Sequence, residues 1–129
     1  MAIKYKAVKM NSPLKKEGGK EQYYPRVANR QKKTLRDIAE SISQTSTFST
    51  IDVVGVLEAF TTKLPYFLKD NCSVELGDLG TFSLHISGEG VDSPEQINAS
   101  KIKSVKMAFR PSTRIKKDLN KVDFRKIKK

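Results

Sequence analysis

At Ser73 the spacing of apolar residues changes from a helical period to a strand period, and that switch limits the available architectures more than any other feature. Before it, Leu35, Ile38, Ala39 and Ile42 recur at i, i+3, i+4 and i+7, the stripe of one buried helix face. A longer stripe follows through Val53, Val54, Leu57, Phe60, Leu64, Phe67 and Leu68. After it, Val74 and Leu76, then Phe82, Leu84 and Ile86, and finally Val105, Met107 and Phe109 alternate with other residues, as strands with one covered face do. Two helices followed by an antiparallel sheet predict an α+β domain.

Local signals sharpen the boundaries. Thr34 can cap the first helix with its hydroxyl, Asp37 favours the positive helix end, and the helix should stop near Gln44. Ser49 with Asp52 repeats that signature after a Ser/Thr-rich turn. Pro65 falls inside the second stripe, where it either kinks the helix or begins a separate final turn after Lys63. Gly77, Asp78, Leu79 and Gly80 form a turn between strands. Ser87 to Ala99 holds two glycines, Pro94 and three acids, and reads as a long excursion between strands. On the returning strand, Lys101 to Phe109, Val105, Met107 and Phe109 should face the core. Lys106 and Arg110 then share the opposite face, as does His85 on the neighbouring strand. After Pro111, Ser112 to Lys121 reads as a short helix with Ile115 and Leu119 inward and Arg114, Lys116, Lys117 and Lys121 outward.

Residues 1–33 read as an N-terminal β hairpin and basic linker rather than part of the helical core. Ile3, Tyr5 and Ala7 alternate with Lys4, Lys6 and Val8, and Gln22 to Ala28 is a second Tyr-rich run. Pro13, Gly18 and Gly19 mark a polar loop between them. The expected organisation is therefore this extension, a domain over 34–121 and a basic tail over 122–129.

A chain of 129 residues, 37% hydrophobic and 30% charged, suits one soluble domain with an appendage and neither a membrane protein nor a disordered one. Met1 to Met10 carry lysines at every second or third place, unlike a signal peptide, so cytoplasmic residence is the expectation. The net charge of +11 is unevenly spread. Met1 to Lys33 carries +8, Thr34 to Cys72 −2, Ser73 to Ala99 −5 and Ser100 to Lys129 +10. Positive potential concentrated at two ends is the footprint of a polyanion partner.

Catalysis finds no support. One His and one Cys on different elements provide no metal pair and no nucleophile with its base, so neither a metal, a cofactor nor a small-molecule substrate is expected. His85 reads as a surface strand residue and Cys72 as a small apolar filler. Lys101, Lys103, Lys106, Arg110, Arg114, Lys116, Lys117 and Lys121 are the candidate phosphate contacts, because strand and helix fix their spacing. Such contacts position a protein on a duplex without specifying a sequence.

The order of elements, together with Val74-Glu-Leu-Gly-Asp-Leu-Gly-Thr-Phe82 and Phe109-Arg-Pro-Ser-Thr-Arg-Ile-Lys116, resembles the HU/IHF histone-like DNA-binding family. The hairpin before Thr34-Leu-Arg-Asp-Ile-Ala-Glu40 is closer to the N-terminally extended HU-related proteins of Bacteroides-like bacteria. The resemblance implies an intertwined homodimer that binds double-stranded DNA, a basic saddle and a long β arm whose tip proline wedges between base pairs. Pro94 approximates that tip, but Glu89, Asp92 and Glu95 replace the family's basic arm residues and would be repelled by a minor groove. The expectation is a nucleoid-associated, architectural DNA binder. An RNA- or ribosome-associated basic protein, or a protein-interaction module on an HU scaffold, are the alternatives.

Overall fold

The computed structural model describes residues 1–10 and 22–127, so the loop read at Pro13, Gly18 and Gly19 lies outside the described residues. The chain divides into two compact units, Met1–Lys33 with Leu119–Lys129, and Thr34–Asp118.

In the second unit, α1 (Leu35–Gln44) starts at a capping box. The Asp37 amide donates to the Thr34 hydroxyl at 3.3 Å, and the Thr34 amide donates to the Asp37 carboxylate at 2.9 Å. Helix α2 (Thr50–Lys69) is capped by Ser49, whose hydroxyl accepts from the Asp52 amide at 3.1 Å. Pro65 sits inside α2, which continues to Lys69, so the alternative of a separate final turn does not apply. The buried apolar side chains of this unit are few: Ala39, Leu64 and Leu68. Aromatic contacts extend that core to the sheet. Phe60 of α2 meets Phe82 edge-on at 6.4 Å between ring centres, and Phe82 lies 4.7 Å from Phe109. Each such pair contributes about 1 kcal/mol beyond burial of its area.

Strands β3 (Val74–Leu76), β4 (Gly80–Gly88) and β5 (Ile102–Pro111) form an antiparallel sheet in that order. The β3–β4 turn needs its glycines. Gly77 adopts φ 47°, and at Gly80, with φ 151°, an added Cβ would overlap the Arg110 carbonyl oxygen and come 2.8 Å from the Phe109 ring. Helix α3 (Thr113–Leu119) starts where the Ser112 hydroxyl accepts from the Ile115 amide at 3.1 Å.

Three expectations for this unit need correction. Val105, Met107 and Phe109 do share a face, but in this chain they are 59%, 59% and 42% exposed, because the helices cover the sheet only near Phe82. Cys72 is exposed as well, its thiol 3.5 Å from the Asp70 carbonyl, rather than an apolar filler. Between Gly88 and Ile102 there is no extended β arm. Two 3₁₀ turns, Pro94–Gln96 and Ala99–Lys101, occupy the connection. Proline lacks the amide that a ladder requires, and the Asn98 side chain instead accepts from the Ser100 amide at 3.0 Å.

In the first unit, β1 (Ile3–Met10) pairs antiparallel with β2 (Gln22–Val27). Strand β6 (Phe124–Lys126) adds to the other edge of β1 in parallel, with Ile3 opposite Phe124 and Lys4 opposite Arg125. The stretch read from sequence as a tail thus carries a strand. Its pairing is anchored by the Ile3 amide on the Asp123 carbonyl at 2.8 Å and the Ile127 amide on the Tyr5 carbonyl at 2.9 Å.

Candidate nucleic-acid interface

Register decides which candidate residues act together. Across β4 and β5, Thr81 faces Arg110, Ser83 faces Ala108 and His85 faces Lys106, whereas Phe82, Leu84 and Ile86 face Phe109, Met107 and Val105. Directly paired residues point to the same side of a sheet, so one face is small, polar and basic and the other apolar. The His85 ring lies 3.3 Å from the Ser83 hydroxyl along the polar face. Lys106 and Arg110 are both exposed there, four residues apart on one strand, hence about 13 Å apart along it.

Other candidates stand differently. The ladder passes from Ser87 opposite Ser104 to Gly88 opposite Ile102, so Lys103 is the residue skipped at a β-bulge. Its ammonium group lies 3.9 Å from the Glu89 carboxylate, and the Glu89 amide donates to the Lys101 carbonyl at 3.2 Å. Lys101 is half-buried at the end of its 3₁₀ turn. Arg114 is ion-paired to Asp78 at 2.6 Å, a contact that no local pattern announces. Lys116 and Lys117 lie exposed in the last turn of α3, and Lys121 belongs to the other unit. Lys106 and Arg110 are therefore brought together, while Arg114 and Lys103 already have carboxylate partners. Pro94 opens a 3₁₀ turn, with Glu95 beside it and the Asp92 amide donating to the Gln96 side chain at 3.2 Å.

Among the described residues no three His, Cys, Asp or Glu side chains gather as metal ligands, and no helix is long and apolar enough to cross a membrane.

No curated protein matches the sequence significantly. Among solved structures, the chain is similar to a candidate bacterial DNA-binding protein from Bacteroides vulgatus ATCC 8482, with a TM-score of 0.65 at 10% identity. The superposition covers 97% of this chain and 48% of that one, so the chain spans about half the length of its neighbour. That likeness shows the fold. Residues 1–126, which include strands of both sheets, match the family described as an HU domain fused to a winged helix-turn-helix, Ig or glycine-rich motif, and the chain belongs to this HU-HIG family.

Proposed function

We propose that this chain is a non-catalytic, architectural binder of double-stranded DNA with weak sequence preference, acting as a homodimer on the nucleoid of a bacterial cytoplasm and contributing to DNA condensation. HU-family membership supports DNA as the partner, and the neighbour's description as a DNA-binding protein agrees. The carrying observation is the two-sided β4–β5 ribbon. One side presents Lys106, Arg110 and His85 among small residues, and the other leaves Ile86, Val105 and Met107 largely exposed in a single copy. A contiguous apolar face on a soluble chain marks an interaction surface. A second copy would cover it and set two basic faces side by side as a saddle.

Phosphate contacts release condensed counterions, so log affinity for a duplex should fall linearly with log salt. Replacing Lys106 and Arg110 by Ala should weaken different duplexes about equally and flatten that slope by about 0.9 per residue. An unchanged slope removes the saddle from the interface. The acids Glu89, Asp92 and Glu95 favour a second reading, a protein-interaction module on an HU scaffold. A matched-salt titration against duplex DNA, structured RNA and single strands separates it, and the RNA-associated alternative, from the first.

A further inference from the structure

The fold redistributes the charge that the sequence displays at two ends. Met1–Lys33 and Leu119–Lys129 form one unit, and together they hold fifteen basic and three acidic residues, a net of +12. The HU-like unit, Thr34–Asp118, holds ten basic and eleven acidic residues, a net of −1. The positive field of this protein therefore originates outside its saddle.

Within the first unit the charge is organised by register. Lys4 and Lys6 alternate on the central strand β1, with Arg125 opposite Lys4 on β6 and Arg26 opposite Lys6 on β2. Cross-strand partners share a face, so these four cations lie on one side of the sheet, all exposed. Strand rise and spacing place them within a patch about 7 Å long and 10 Å wide. Val8 and Tyr24, paired on the same side, are half-buried beside them. Ile3, Tyr5, Pro25, Val27 and Phe124 lie on the opposite side, which also carries Lys126 opposite Tyr5, and together with Arg26 at the rim they line a shallow depression. Among the described residues no carboxylate lies within ion-pair distance of Lys4, Lys6, Arg26 or Arg125. The Arg26 guanidinium donates instead to the Met10 sulfur at 2.8 Å and the Pro25 carbonyl at 3.3 Å.

Like charges directly opposite each other destabilise a sheet. Two such pairs without an intervening acid cost stability in the free protein, and a polyanion laid across them removes that cost. We infer that the β2-β1-β6 sheet is a second phosphate-binding surface, through which Lys4, Lys6, Arg26 and Arg125 grip the backbone of duplex DNA and supply most of the salt-dependent affinity. The identity of the polyanion as duplex DNA rests on the function proposed above, whereas the location of the surface rests on the sheet.

The test uses the full chain and a labelled 30-base-pair duplex in fluorescence anisotropy titrations at several salt concentrations. The variant Lys4→Gln/Lys6→Gln/Arg26→Gln/Arg125→Gln is compared with Lys106→Gln/Arg110→Gln and with the charge-preserving Lys4→Arg/Lys6→Arg/Arg26→Lys/Arg125→Lys. The first should lower the slope of log affinity against log salt by about 3.6, and affinity at 0.1 M salt by about three orders of magnitude. The second should lower the slope by about 1.8, both changes being counted per bound protomer, and the third should match the wild type. A charge-preserving variant that also fails to bind would attribute the loss to disruption of the sheet and overturn the inference. A full slope in the four-Gln variant, with a reduced one in the saddle variant, overturns this surface and leaves the saddle standing. A wild type that binds no duplex at any salt overturns both, and structured RNA bound more tightly than duplex, with the same four-Gln loss, overturns DNA as the partner.

Discussion

The Arg114 guanidinium lies 2.6 Å from the Asp78 carboxylate, tying the turn between β3 and β4 to the first turn of α3 across 36 residues of sequence. The Ser112 amide, donating to the Leu79 carbonyl at 3.0 Å, and the Ser112 hydroxyl, donating to the Asp78 carbonyl, reinforce the same junction. Both ion-pair partners are more than two-thirds exposed, so the pair itself stabilises by less than about 1 kcal/mol. Its consequence is electrostatic: a phosphate approaching Arg114 must compete with a carboxylate already in place.

Asp78→Asn should therefore leave thermal unfolding nearly unchanged while raising duplex affinity at low salt by about two- to fivefold, an advantage that shrinks as salt screens the removed charge. A salt titration of variant and wild type checks this. Equal affinities at every salt would place Arg114 outside the interface.

The two glycines of that turn should respond differently to the same change. At Gly77 an added methyl meets nothing within 4 Å, and only the left-handed backbone resists, so Gly77→Ala should cost about 1 kcal/mol. At Gly80 the methyl would strike the Arg110 carbonyl and the Phe109 ring, so Gly80→Ala should cost at least about 2 kcal/mol and displace the strand that presents Arg110. Urea denaturation of both variants measures the difference directly.

Self-association through the apolar side of the β4–β5 ribbon should make the melting temperature rise with protein concentration, since a partner that binds only the folded chain adds stability by mass action. Met107→Asp places a charge on that side, where Met107 is 59% exposed in one copy. Sedimentation velocity should show the wild type as a dimer at micromolar concentration and the variant as a smaller species. A concentration-independent melting temperature in the wild type would contradict the arrangement.

The connection between β4 and β5 poses a choice between a wedge and a repulsive loop. With Glu89, Asp92 and Glu95 exposed around Pro94, repulsion should dominate. Replacing the three acids by Gln should raise duplex affinity on the order of tenfold at low salt. Pro94→Ala should leave DNA bending, read as energy transfer between labelled duplex ends, unaltered. Reduced bending in Pro94→Ala without an affinity gain from the Gln variant would favour the wedge.

What could be read in advance was what neighbouring residues determine among themselves. Thr34 and Ser49 cap their helices through contacts three residues away, and the alternation around Phe82 and Phe109 assigns a face to every strand residue from local sequence. Alternation separates an apolar face from a polar one but says nothing about what covers it, hence the misplaced expectation for Val105 and Met107. The pairing of Asp78 with Arg114, the bulge at Lys103 and the meeting of Lys4 with Arg125 depend on segments 14 to 121 positions apart, for which a local pattern carries no signal. Lys4 and Lys6 were visible as part of a strand. Their role as a charged face emerged only once β2 and β6 supplied Arg26 and Arg125 on the same side.

The parallel pairing of β1 with β6 also governs the order in which this chain can mature. Ile3 waits for Phe124, made 121 residues later, so during synthesis β1 and β2 exist first as a two-stranded ribbon, which alone is marginally stable in water. In sequence, everything from Thr34 to Asp118 is inserted between the two segments of the first unit, like a cassette spliced into a host. If the inserted unit folds early, it replaces a long floppy connection with a fixed one and shortens the effective loop that β6 must close. A nascent chain halted before Phe124 would display Lys4, Lys6 and Arg26 without Arg125, with one edge of β1 still open to another strand. Translation past Lys126 therefore acts as the step that seals the sheet.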